Sequence, residues 1–125
     1  MKLPNGDRAQ IDVAGKLVGY CLNPAHSKGK FKAIVFESVL GVTASHALLL
    51  ADALAAAARE GDARIKEKST DAVKYEIECP MTGPAGSAIV RSGWIIEKGT
   101  DVPRLVTCYV RPPQRKRGKR GKGRS

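Results

Sequence analysis

One stretch of this chain concentrates groups able to do chemistry on an anion. In Leu22-Asn23-Pro24-Ala25-His26-Ser27-Lys28-Gly29-Lys30-Phe31-Lys32-Ala33, a histidine in a polar loop precedes three lysines at alternate positions. Histidine changes charge near neutral pH, so His26 fits a general acid or base without large tuning. Lys28, Lys30 and Lys32 fall where a helix should begin. Cations there oppose the helix dipole, and the arrangement improves when an anion such as a phosphate docks. The bland alternative is that His26 bonds its own loop and the lysines are solvated.

A second basic feature is larger and simpler. Residues 111–125 read RPPQRKRGKRGKGRS, with Arg111, Arg115, Lys116, Arg117, Lys119, Arg120, Lys122 and Arg124 and no acid. The chain carries a formal charge of +10, of which this tail holds +8. Residues 1–110 are therefore near neutral, with 14 bases against 12 acids. Gly- and Pro-rich basic sequence cannot form a core, so a disordered tail is expected. Its natural partner is a polyanion, bound through release of condensed counterions. It has no aromatic residue to stack on bases, so it adds affinity without sequence choice.

The second half of the chain supplies further candidates on strands. Arg91, Thr107 and Tyr109 are polar positions within otherwise apolar runs. If Val106, Cys108 and Val110 face a core, Leu105, Thr107 and Tyr109 share the opposite face. An open sheet face with Thr, Tyr and Arg is a place for a ligand, or plain solvated surface.

Several classes are excluded as expectations. No apolar run reaches the roughly 18–20 residues of a membrane span, and no membrane role is expected. MKLPNGDRAQ lacks the apolar centre of an export signal. Cys21, Cys79 and Cys108 form no CxxC pair, which suits reduced thiols in a cytoplasm. Two histidines and three scattered cysteines make no metal-site spacing. No metal and no cofactor is expected.

The elements that must position these residues follow from pattern. At 125 residues one core is expected, as a domain over 1–110 followed by the tail. Asn5-Gly6-Asp7 is turn chemistry, and Ala9–Val13 reads as a short edge strand. Gly15–Leu22 reads as one or two helical turns, stopped by Asn23-Pro24. The next helix runs from Ser27 or Lys28 to Leu40, with Phe31, Val35 and Val39 as its apolar stripe and Phe36 and Leu40 beside it. Gly41 caps it. Thr43 opens an Ala-Leu helix, Ala44–Glu60, that presents Ala47, Leu50, Ala51, Leu54 and Ala58. His46 reads as a surface or packing histidine. Asp62–Thr70 reads as a flexible link.

Alternation over Val73–Cys79 predicts a half-buried strand that ends at Pro80, which cannot donate to a ladder. Ala88–Ile96 and Arg104–Val110 are two more strands, separated by turn clusters, with Trp94 as a core anchor. The fold class is α+β: N-terminal helices packed on a C-terminal antiparallel β-meander in two layers, with a disordered basic tail.

Leu3-Pro4-Asn5-Gly6-Asp7-Arg8-Ala9, the run Leu22-Asn23-Pro24-x-His26-x-x-Gly29-x-x-Lys32-Ala33-x-Val35-Phe36 and the closing Pro103–Tyr109 together resemble a small bacterial domain family of unknown function. Its members occur alone and as C-terminal modules of phage-head-morphogenesis-like and polymorphic-toxin-like proteins. The resemblance covers about residues 1–110 and excludes the tail. More loosely, helices with a His…Gly…Lys motif before a sheet closing on Arg-x-Val-Thr-x-Tyr are similar to the barnase, colicin and RelE class of metal-independent ribonuclease toxins. That likeness is at fold level. It implies His26 as general acid/base, Lys32 as phosphate-stabilising cation, Thr107 and Tyr109 as sheet-borne groups at the scissile phosphate, and Arg91 as a second cation. The chemistry would be attack of a ribose 2′-OH on its own phosphate.

The sequence reading is thus of a nucleic-acid-directed protein, RNA foremost, with Lys28, Lys30 and the tail cations as the binding set. Metal-independent endoribonuclease activity is the catalytic form of that reading. The alternatives are a non-catalytic nucleic-acid- or ribosome-binding module, and a protein-interaction member of a toxin–antitoxin or phage-associated system.

Overall fold

The computed structural model describes residues 1–112. The tail residues Arg115, Lys116, Arg117, Lys119, Arg120, Lys122 and Arg124 lie outside the described residues.

Three helices come first. A single 3₁₀ turn, Gly6–Arg8, precedes them. Its Gly6 lies so close to Ala58 O that a Cβ there would sit only 1.8 Å away, so no larger residue fits. Helix α1, Val13–Cys21, is wound as a π-helix and is opened by Asp12, whose carboxylate accepts from Gly15 N–H at 2.9 Å. Helix α2, Lys30–Leu40, starts as an α-helix and widens to π-type winding at Phe36. Gly41 ends it at φ 70°, the left-handed conformation glycine adopts at low cost. Helix α3, Ala44–Glu60, meets α2 at 73°. It opens on a 3₁₀ turn, where Thr43 N–H donates to His46 Nδ1 at 3.1 Å. His46 is therefore part of a helix cap.

Four strands follow: β1 Ala63–Lys68, β2 Ala72–Gly83, β3 Gly86–Glu97 and β4 Arg104–Val110. They pair in the order β1-β2-β3-β4, each antiparallel to the next. The α+β class and the helices-then-sheet order agree with the sequence reading.

Five details differ from it. Asp62–Thr70 is not simply a link, because it contains β1. Ala63 alone of that strand is buried, so it has no apolar alternation to show, and Arg64 reaches Glu76 across the pair. Second, β2 runs through Pro80 to Gly83. Pairing with β1 begins at Ile77, so β2 is an edge strand at Pro80 and proline is tolerated there. Third, Ala9–Val13 is not a strand; Gln10 alone makes a bridge, to Arg104.

Fourth, α2 buries Ala33, Phe36 and Leu40 and leaves Phe31, Val35 and Val39 exposed. The helix is rotated from the expected stripe. Fifth, a register shift between Gly93 and Trp94 places Leu105 opposite Trp94. Leu105 therefore joins Cys108 and Val110 in the core, away from Thr107 and Tyr109.

One core cluster draws residues from both the helices and the sheet. Trp94, Phe36, Leu50, Leu54 and Ile77 are fully buried in it. Trp94 Nε1–H donates to Ser92 Oγ at 2.9 Å, and Ser92 Oγ–H donates to Ile77 O at 3.3 Å, so the buried indole is satisfied. The face of the sheet opposite Trp94 carries Arg64, Glu76, Gly93 and Thr107 in one row, and Glu78, Arg91 and Tyr109 in the next.

Candidate nucleic-acid interface

The His-Lys stretch folds as a loop that feeds the start of α2. His26 Nδ1 accepts from Lys28 N–H at 3.0 Å and from Gly29 N–H at 2.9 Å. Both donors belong to the turn that leads into α2, so the His26 side chain closes that turn. Accepting at Nδ1 fixes the neutral tautomer, with the proton on Nε2. The ring stands edge-on to Tyr20, centroids 4.9 Å apart. It borders a polar depression with Asp12, Lys16 and Tyr20.

Replacing His26 with alanine is expected to cost about 1 kcal/mol, the usual net scale for a lost hydrogen bond. His26→Asn restores an acceptor and should recover most of it. Urea unfolding of the two variants checks this; equal losses would show that the turn acceptor is not what the imidazole supplies.

Lys32 points the other way around Tyr20. Its Nζ donates to Tyr20 Oη at 3.2 Å and lies 5.8 Å from the Tyr109 ring centroid on β4. Tyr109 Oη in turn accepts from Arg91 Nη1 at 3.3 Å. Arg91 is bound to Glu78 at 2.6 Å, and Arg111 Nη1 meets the other Glu78 oxygen at 3.1 Å. The Arg91 hydrogen bonds hold the Glu78 carboxyl below the usual carboxylate range.

Five expected site residues, His26, Lys32, Tyr109, Arg91 and Arg111, thus lie along one connected track, joined through Tyr20 and Glu78. They do not share one pocket. His26 opens on the Asp12 side, whereas Lys32 and Tyr109 border a depression with Phe31, Val35 and Val110.

Thr107 is turned elsewhere. Its Oγ1 lies 3.9 Å from Cys21 Sγ, at the end of α1. Cys108 N–H donates to the same sulfur at 3.4 Å. The Cys21 thiol is lowered to about 7, chiefly by the hydrogen bond from the Cys108 thiol, with the Cys108 amide, Thr107 and the Lys32 charge adding and burial opposing. Cys108 is pushed up by its place beside Cys21 and by burial.

An acid whose folded value falls from 9.0 to about 7 adds stability that is complete above 9.0 and lost as pH drops through about 7. The Cys21 contribution to stability is therefore expected to rise between about pH 7 and pH 9. Cys21→Ser should flatten that climb in thermal unfolding at a series of pH values. An unchanged profile would place its source elsewhere.

Three participants were not singled out by the sequence, one of them Glu78, which joins Arg91 to Arg111. Tyr20 joins His26 to Lys32, and Phe31 is 67% exposed between the lysines, with Lys30 Nζ 5.2 Å from its ring centroid. Lys28 and Lys30 are exposed beside it. The chain leaves the described part at Arg111-Pro112, which border one depression with Val35 and Val39 of α2. The basic tail therefore starts at the α2 edge of the sheet. Among the described residues no single helix is long and apolar enough to cross a membrane.

An α+β domain with this aromatic and basic ridge belongs, by sequence, to a domain family whose function is not known. That family is described as Domain of unknown function (DUF6883), and it matches residues 2–112 of this chain. No curated protein and no solved structure matches the chain.

Proposed function

We propose that the protein binds single-stranded nucleic acid, RNA foremost, along the ridge formed by the start of α2 and the outer edge of β4. The molecule is read here as two layers, with the helices over one sheet face and the ridge at their common border. Phe31 carries this reading. An aromatic ring 67% exposed among Lys28, Lys30 and Lys32 is a stacking surface flanked by phosphate-neutralising cations. The starting point of the tail supports it, since its first cation, Arg111, lies at the same edge. The tail supplies attraction without sequence choice, and the ridge supplies base contact.

A roughly 12-nucleotide fluorescent RNA, titrated with the protein in EDTA, tests the reading. Phe31→Ala should weaken binding by about ten- to a hundredfold, the range for one lost stacking platform. No binding at low salt, or binding indifferent to Phe31→Ala, would overturn it.

A catalytic form of the reading rests on the His26 ring. Nδ1 accepts from two backbone N–H groups, which leaves the proton on Nε2, so the ring serves as a base only once it releases those bonds and changes tautomer. Lys32 would then steady the phosphate. The same RNA, run on a gel after long incubation, reports cleavage. His26→Asn keeps the turn acceptor and removes the base, so undiminished cutting by that variant would rule this form out.

A further inference from the structure

The centre of the open sheet face lacks a side chain. In the row Arg64, Glu76, Gly93, Thr107, the glycine stands between a carboxylate and a threonine. A Cβ on Gly93 would come no nearer than 3.5 Å to Thr107 Cγ2, an ordinary contact, so packing does not require glycine there. Glycine inside a strand weakens it and marks a bulge, such as the register shift beside Gly93, or a place where something approaches the backbone closely. The depression above it has a volume of about 160 Å³ and is bordered by Lys66, Lys74, Glu76, Gly93, Val106 and Thr107. Thr107 turns its methyl to this depression and its hydroxyl to Cys21.

Charge makes the depression selective. Glu76 is only 8% exposed, and its Oε1 takes both hydrogen bonds from Arg64. Its Oε2 has Arg91 at 3.7 Å and Lys66 at 3.9 Å, beyond hydrogen-bonding distance. That oxygen is left able to accept. Lys66 and Lys74 are more than half exposed, each nearly 4 Å from its acidic neighbour, and free to turn to a phosphate. A flat floor, an apolar wall, one anionic acceptor and two cations fit one nucleotide whose base bears an amino group.

We infer that the Gly93 depression holds one amino-bearing nucleobase, with Glu76 Oε2 accepting from the exocyclic amine and Lys66 and Lys74 meeting its phosphate. The inference deepens the nucleic-acid reading and rests on it: Tyr109 lies two residues along β4 from Thr107, about 7 Å, so a strand crossing the ridge reaches Gly93 next. Adenine, cytosine and guanine fit; uracil has no exocyclic amine, and its ring N3–H lies between two carbonyl oxygens that the Glu76 carboxylate repels.

Backbone amide shifts of the full chain, followed during titration with AMP, CMP, GMP and UMP, test it. The first three should move Glu76, Gly93 and Thr107, with UMP about tenfold weaker, as for a lost bond to a charged group. Gly93→Val suits a strand, fills the floor and should abolish these shifts in a folded protein. Glu76→Gln should erase the discrimination against UMP.

Absence of shifts at Gly93 with all four nucleotides, shifts unaffected by Gly93→Val, or equal affinity for UMP would each overturn the inference. Mononucleotide binding at Gly93 in a protein that fails to bind the RNA would support the depression and sink the ridge. RNA binding lost with Phe31→Ala but untouched by Gly93→Val, with no preference between oligo(A) and oligo(U), would do the reverse.

Discussion

Removing residues 113–125 is expected to weaken RNA binding by about a hundredfold at low salt, while leaving the fold intact. The deleted segment holds seven of the chain's 22 cations, Arg115, Lys116, Arg117, Lys119, Arg120, Lys122 and Arg124, and no acid. Each phosphate neutralised on a single strand contributes about 0.7 to the slope of log affinity against log salt. Full engagement of seven would amount to a slope change of roughly 5. The truncated protein should therefore show both a lower affinity and a flatter salt dependence. The residual binding should still fall on Phe31→Ala, because the truncated protein keeps Phe31 and its neighbouring lysines. Affinity and slope both unchanged by truncation would show the tail to be a bystander.

The second large effect is on stability. Trp94→Ala is expected to cost about 3–5 kcal/mol, the range for truncating a fully buried large aromatic. Trp94 is 0% exposed and stands beside Tyr75 and Leu105 on neighbouring strands, so the cavity would open in the middle of the sheet. The loss also strips Ser92 Oγ of its indole donor. Many domains have total stability of only about 5–15 kcal/mol, so such a variant would be partly unfolded or nearly so on mild heating. Circular dichroism during urea unfolding measures it. A cost below about 1 kcal/mol would mean that Trp94 does not anchor this core.

Much of the scaffold was legible because its signals are local. The Ala-Leu run of α3, its Thr43 start, the glycine after Leu40 and the alternation around Val73–Cys79 each follow from a residue type at a fixed offset. What was not legible depended on partners. β1 has one buried residue and is held by pairing with β2, which composition cannot show. Pro80 looked like a stop, yet pairing with β1 begins only at Ile77, so no second neighbour needs its N–H. The phase of α2 was misjudged because Phe31, Val35 and Val39 are as apolar as the residues that the helix does bury.

The site divides in the same way. The cluster of His26 with Lys28, Lys30 and Lys32 is visible at sequence level, since the residues are neighbours. That His26 spends Nδ1 on its own loop could be named only as an alternative, and the hydrogen bonds to Lys28 and Gly29 N–H show it in place. Tyr20 and Tyr109 are 89 positions apart and come together around one lysine only through the fold. Gly93 gave no signal, because an unfilled place on a sheet face is defined by the strands on both sides.

The central claim is that the α2–β4 ridge is the nucleic-acid surface. The most direct test is a map of backbone amide shifts on the full chain as a short single-stranded RNA is added. The account predicts the largest changes at Lys28–Lys32, Tyr20, Tyr109 and Arg111, saturating together and fading as salt rises. Changes confined to the outer face of α3, or no changes at Phe31 and Tyr109 while RNA is demonstrably bound, would contradict it.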